Sequence, residues 1–97
     1  MTPYGLTLGE KTKDCLRLCA LPILERAAML ERLEVKWGLK AIYTTIAKHG
    51  GLFDWGTSVR SAWLTEEGNS ALADIDPAHE PMRGRYGLRE HAWRENA

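Results

Sequence analysis

The sequence predicts a mainly α-helical domain with one small β-hairpin, in the order helix, helix, helix, hairpin, helix. Three observations predict it. Apolar residues recur at spacings of three and four between Cys15 and Ile46, two short β-prone runs rich in aromatic residues flank a glycine-containing link at Gly56-Thr57-Ser58, and Thr65-Glu66-Glu67 then restarts a helical pattern. A chain of 97 residues holds one core. That core is placed at residues 1–76, with a basic C-terminal tail at 77–97.

The first helix is expected from about Leu8 to Ala20, opened by a Thr7-Leu8-Gly9-Glu10 capping box. Cys15, Leu16, Leu18 and Cys19 form its inner face, and Lys11, Lys13, Asp14 and Arg17 turn outward. Pro22 ends this helix and suits the first position of the next. There Ile23, Leu24, Ala27, Ala28, Leu30 and Leu33 read as the buried stripe, with Glu25, Arg26, Glu31 and Arg32 outside. The pattern breaks at Glu34-Val35-Lys36-Trp37-Gly38, a turn of about four residues, and resumes with Leu39, Ile42 and Ile46 as the inner face of a third helix. Gly50-Gly51 closes that helix. Leu52 to Trp55 and Val59 to Leu64 are the hairpin strands. Thr65 caps a short fourth helix, about Glu66 to Asp74, whose first-turn carboxylates complement the dipole and whose buried stripe is Ala71, Leu72 and Ile75. Pro77 and Pro81 then punctuate a polar stretch before the tail Met82 to Ala97.

Composition excludes several classes. The longest apolar run, Leu18 to Leu24, is too short to cross a membrane, and the N-terminus lacks the basic start and apolar stretch of a secretory signal, so a cytoplasmic protein is expected. Cys15 and Cys19 share a helix face and read as core thiols: no further ligand follows at zinc spacing, and His49, His79 and His91 are scattered. No paired carboxylates, catalytic triad or phosphate loop is legible, so neither catalysis nor a cofactor or metal is expected. Thirteen basic and thirteen acidic residues cancel, but not evenly along the chain. Lys36, Lys40, Lys48 and Arg60 against Asp54 leave residues 36–60 at +3, whereas Glu66, Glu67, Asp74, Asp76 and Glu80 leave 65–80 at −5. A local positive stripe suffices to attract phosphates.

Three segments in order resemble one family. Leu30 to Ile42 resembles the end of the first motif helix, the turn and the start of the recognition helix of winged helix-turn-helix proteins. His49-Gly50-Gly51-Leu52 resembles their junction into the wing, and Ala62-Trp63-Leu64-Thr65-Glu66-Glu67-Gly68 resembles the Leu-Thr-x-x-Gly step after the second wing strand in MarR-like and PadR-like regulators. The resemblance covers residues 21–74. It implies a dimeric transcriptional regulator that binds duplex DNA, with the helix Leu39 to His49 in a major groove. The residues it assigns to DNA are Lys36, Lys40, Tyr43, Thr44 and Lys48 on the motif and Thr57, Ser58 and Arg60 on the wing. The third helix departs from the usual base-reading set: it has no Arg, Asn or Gln.

Winged helices also serve as protein-binding modules. A neutral chain with large aromatics therefore also suits an adaptor, or a small inhibitor of a host complex of the kind that a phage or plasmid encodes. Trp55 beside the hairpin turn, and Tyr86 and Trp93 in the tail, are the partner-binding residues on that reading. The tail Arg83-Gly84-Arg85-Tyr86-Gly87-Leu88-Arg89 also has the mix of arginine, aromatic and glycine found in single-strand binders.

Overall fold

The computed structural model describes residues 2–54 and 62–80. A 3-10 turn at Tyr4–Thr7 precedes α1 (Glu10–Ala20). The expected capping box is absent: Gly9 is the N-cap and makes no side-chain cap bond. The Thr7 hydroxyl is used instead within the 3-10 turn, donating to the Tyr4 carbonyl at 2.6 Å. α1 is the central helix, packed by α2, α3, α4 and the second strand. This surround explains why Asp14, expected outside, is 7% exposed, and why Thr12 is buried as well.

A second 3-10 turn, Ile23–Glu25, leads into α2 (Arg26–Trp37). The buried stripe of α2 is not the expected one. Leu24 is 93% exposed, Ala27 and Ala28 face solvent, and Arg26, expected outside, is 2% exposed. The stripe that faces the core is Arg26, Leu30, Leu33 and the half-buried Trp37, at spacings of four, three and four. Hydrogen bonding selects this phase. The Arg26 guanidinium donates to the Leu21 carbonyl at 2.8 Å, to the Cys19 carbonyl at 3.0 Å and to the Ala62 carbonyl. It thereby satisfies two carbonyls at the C-terminal end of α1 and one at the entry to the second strand, which buried backbone must have.

The expected four-residue turn after α2 is a single residue. Gly38, at φ 89° and ψ 143°, separates α2 from α3 (Leu39–Lys48). Its N–H donates to the Glu34 carbonyl at 2.8 Å and its carbonyl accepts from Ile42 at 3.2 Å, so it closes one helix and opens the next. A side chain at those angles is strained, which is why glycine stands there. α3 buries Ile42, Thr45 and Ile46. Leu39, expected inside, is 38% exposed because it begins the helix on the solvent side of the Ile42–Ile46 stripe.

β1 (Phe53–Asp54) and β2 (Trp63–Leu64) form a two-stranded antiparallel sheet, with Phe53 opposite Leu64 and Asp54 opposite Trp63. Both paired segments lie within the expected strands, and residues 55 and 59–61 of those strands, like the link at 56–58, lie outside the described residues. Leu52, Phe53, Ala62 and Leu64 complete the core with the α1 and α3 residues. α4 (Glu66–Ile75) starts as expected. The Thr65 hydroxyl accepts from the Gly68 N–H at 3.0 Å and donates to the Gly51 carbonyl at 2.6 Å. A Cβ at Gly68 would run into the Leu52 carbonyl, so this glycine lets α4 lie against the chain entering β1. Ala71 and Leu72 are buried and Ile75 packs at the core's edge. The other side of α4 receives the N-terminal 3-10 turn, where the Gly5 N–H donates to the Asp74 carboxylate at 2.9 Å. No helix among the described residues is long and apolar enough to cross a membrane.

Candidate functional site

The site is built on α3. Burial of Ile42, Thr45 and Ile46 turns Lys40, Tyr43, Thr44, Ala47 and Lys48 to solvent. Lys40, Thr44 and Lys48, four residues apart, make one ridge along this face and edge a cleft between α1 and α3. The cleft has a volume of about 610 Å³. Lys11 and Thr12 of α1 line its opposite wall, Trp37 and Gly38 one end, and His49 the other. Tyr43 lies on the shoulder of the same exposed face, outside the cleft lining. The Thr44 hydroxyl donates to the Lys40 carbonyl at 2.8 Å, so its proton is held within the helix while its lone pairs stay outward. Thr12 Oγ1 and His49 Nε2 meet at 3.4 Å.

Charge in and around the cleft is sorted by one buried carboxylate. Asp14 accepts from Arg17 at 2.8 Å through Oδ1, and from Lys36 at 2.9 Å and the Trp37 indole N–H at 3.0 Å through Oδ2. Burial pushes its pKa up, but the Trp37, Lys36 and Arg17 interactions outweigh burial and hold it below the usual carboxylate value. Lys36 is thus drawn to Asp14 and onto the Trp37 ring, its ammonium 5.0 Å from the ring centroid. Glu10 is likewise taken, by Lys13 at 3.5 Å. Lys11, Lys40 and Lys48 form no ion pair among the described residues, and no carboxylate lines the cleft. The Lys11 ammonium lies 5.4 Å from the centroid of the Trp37 ring.

Of the residues singled out from sequence, Lys40, Thr44 and Lys48 converge on the cleft, Tyr43 shares their face, and Lys36 is bound up with Asp14. Trp55, Thr57, Ser58, Arg60, Tyr86 and Trp93 lie outside the described residues. Sequence reasoning missed Lys11, Thr12 and His49. Only the packing of α1 beside α3 brings them to the ridge, and no local pattern in α1 announces it. The cysteines are free and buried, and burial pushes both thiols up to about 12. Among the described residues no group of three or more His, Cys, Asp or Glu could hold a metal ion. The donor set of the cleft is ammonium, hydroxyl and imidazole, which is suited to holding an anion.

Comparisons with protein-family models, with curated proteins and with solved structures return no match.

Proposed function

We propose that the protein is a small winged helix-turn-helix DNA-binding regulator, with α2 and α3 as the motif and the β1–β2 hairpin as the base of the wing. It acts as a homodimer by occupying its operator. One observation carries the reading: α3 exposes a ridge of cations, Lys40 and Lys48, that form no ion pair among the described residues, on the face opposite its buried Ile42, Thr45 and Ile46. A recognition helix needs that division between a packed face and a groove-facing one. The lack of Arg, Asn and Gln on α3 makes phosphate contact the main source of affinity and leaves sequence discrimination modest. Binding to random and operator-containing duplexes across a salt series tests this. Replacing Lys40 or Lys48 by glutamine should each flatten the slope of log affinity against log salt by about 0.9. Absence of duplex binding at low salt overturns the reading.

A second reading, a protein-binding module or inhibitor of a host complex, is favoured by Leu24 and Val35. They are 93% and 91% exposed on the outer side of α2 and its lead-in turn. Pull-down from the native host with and without nuclease separates the two readings. A partner retained after nuclease, and retained by the Lys40→Glu/Lys48→Glu variant, favours the second.

A further inference from the structure

We infer that the cleft between α1 and α3 is a phosphate-binding site and that Lys11, on the first helix, is one of its binding residues. The inference deepens the DNA reading and rests on it for the source of the phosphate. The pairing of charges on α1 sets Lys11 apart. Lys13 is spent on Glu10 and Arg17 on Asp14, while Lys11 forms no ion pair among the described residues and lies over the face of Trp37, which orients an ammonium without neutralising it. Across the cleft stand Lys40 and Lys48, also without carboxylate partners among the described residues. Three lysines from two helices therefore line one concavity that no carboxylate among the described residues lines. Such a concavity concentrates positive potential and draws in an anion.

The arrangement also specifies the kind of anion. Lys40 and Lys48 stand two turns apart, about 12 Å along the helix axis, so they mark the two ends of the ridge. Lys11 and Lys40 share the Trp37 end, and Lys48 shares the other with Thr12 and His49. The cleft so offers cationic groups at both ends, which suits an extended polyanion such as a sugar-phosphate backbone. The Trp37 indole at one end does not offer a free stacking surface for a base, because two ammonium groups, those of Lys11 and Lys36, already lie over it.

The test uses the full chain and has two arms. In the first, isotope-labelled protein is titrated with inorganic pyrophosphate and followed by NMR. Shifts should centre on Thr12, the Trp37 indole, Gly38, Ala41 and His49, and Lys11→Gln should weaken the affinity while Arg32→Gln, on α2 and outside the cleft lining, leaves it unchanged. In the second, Lys11→Gln should flatten the salt slope of duplex binding by about 0.9, equivalent to a loss of about eightfold at 0.1 M salt. Lys11→Arg should restore most of it, and circular dichroism confirms that each variant is folded. Either effect of Lys11→Gln upholds the site: the second arm names the nucleic-acid backbone as the source, and the first without the second names a free phosphorylated molecule. If the protein takes up pyrophosphate but binds no duplex, the DNA reading falls and the site stands. If Lys11→Gln changes neither pyrophosphate affinity nor the salt slope, the inference is overturned even where duplex binding persists.

Discussion

Replacing Arg26 by methionine keeps an unbranched stem in the core and removes every donor of the guanidinium. In the native protein those donors serve the carbonyls of Cys19, Leu21 and Ala62. Leu21 is only partly buried, so water can take over its carbonyl at little cost; Cys19 and Ala62 are core residues. Leaving a buried acceptor unsatisfied costs about 1–3 kcal/mol, so two of them cost about 2–6 kcal/mol. Removing the desolvation cost of a buried cation offsets part of this, and we expect a net loss of about 3 kcal/mol. That is a large share of the roughly 5–10 kcal/mol that a domain of this size commands. At about 4–8 °C per kcal/mol it corresponds to a fall in Tm of about 12–24 °C. Urea titration and calorimetry measure it directly. Arg26→Lys separates charge from geometry, since one ammonium cannot span three carbonyls; it should recover only a minor part of the loss. A methionine variant within about 0.5 kcal/mol of the native protein would refute the reasoning, because the guanidinium would then cost as much to bury as its hydrogen bonds return.

Asp14→Asn should destabilise the domain by about 1–3 kcal/mol at neutral pH, because Arg17, Lys36 and Trp37 all converge on its carboxylate. Its native pKa lies below that of the unfolded chain, so its contribution is complete above the ordinary carboxylate pKa and is lost as pH falls through the native value. Denaturant midpoints between pH 2 and about 6 should therefore fall less steeply for the variant than for the native protein; parallel acid limbs would contradict this. The two cysteine thiols, pushed up to about 12 by burial, should react with a thiol reagent at pH 8 only as fast as the core opens, and both together. Rapid labelling of either under native conditions would be incompatible with its placement.

Where a feature depended on neighbours in the chain, the sequence announced it. Thr65 with Glu66 and Glu67 is a cap whose partners lie within one turn, and the Ile42–Ile46 spacing alone decides which side of α3 is buried. Features set by distant groups were not legible. In α2, the stripe through Ile23, Ala27, Leu30 and Leu33 and the stripe through Arg26, Leu30 and Leu33 both have helical spacing. Hydropathy chose the first, and backbone carbonyls of Cys19 and Ala62 chose the second. Thr7 matched a capping box, yet its hydroxyl had a nearer acceptor at Tyr4. The ridge of the candidate site was visible because it lies on one helix, and Lys11 was not because it lies on another.

Gly38 meets no atom within 4 Å of where a Cβ would sit, so nothing but its own torsion angles stands against replacement. One pair of torsions is then the whole covalent link between α2 and α3, which also pack on each other through the core. The tilt at which α3 presents its lysines is therefore held less by the joint than by the packing of α3 on the core. Changing the volume of the side chains on which Ile42 and Ile46 rest should alter it from beneath, so substitutions deep in the core should act as aiming changes at the surface.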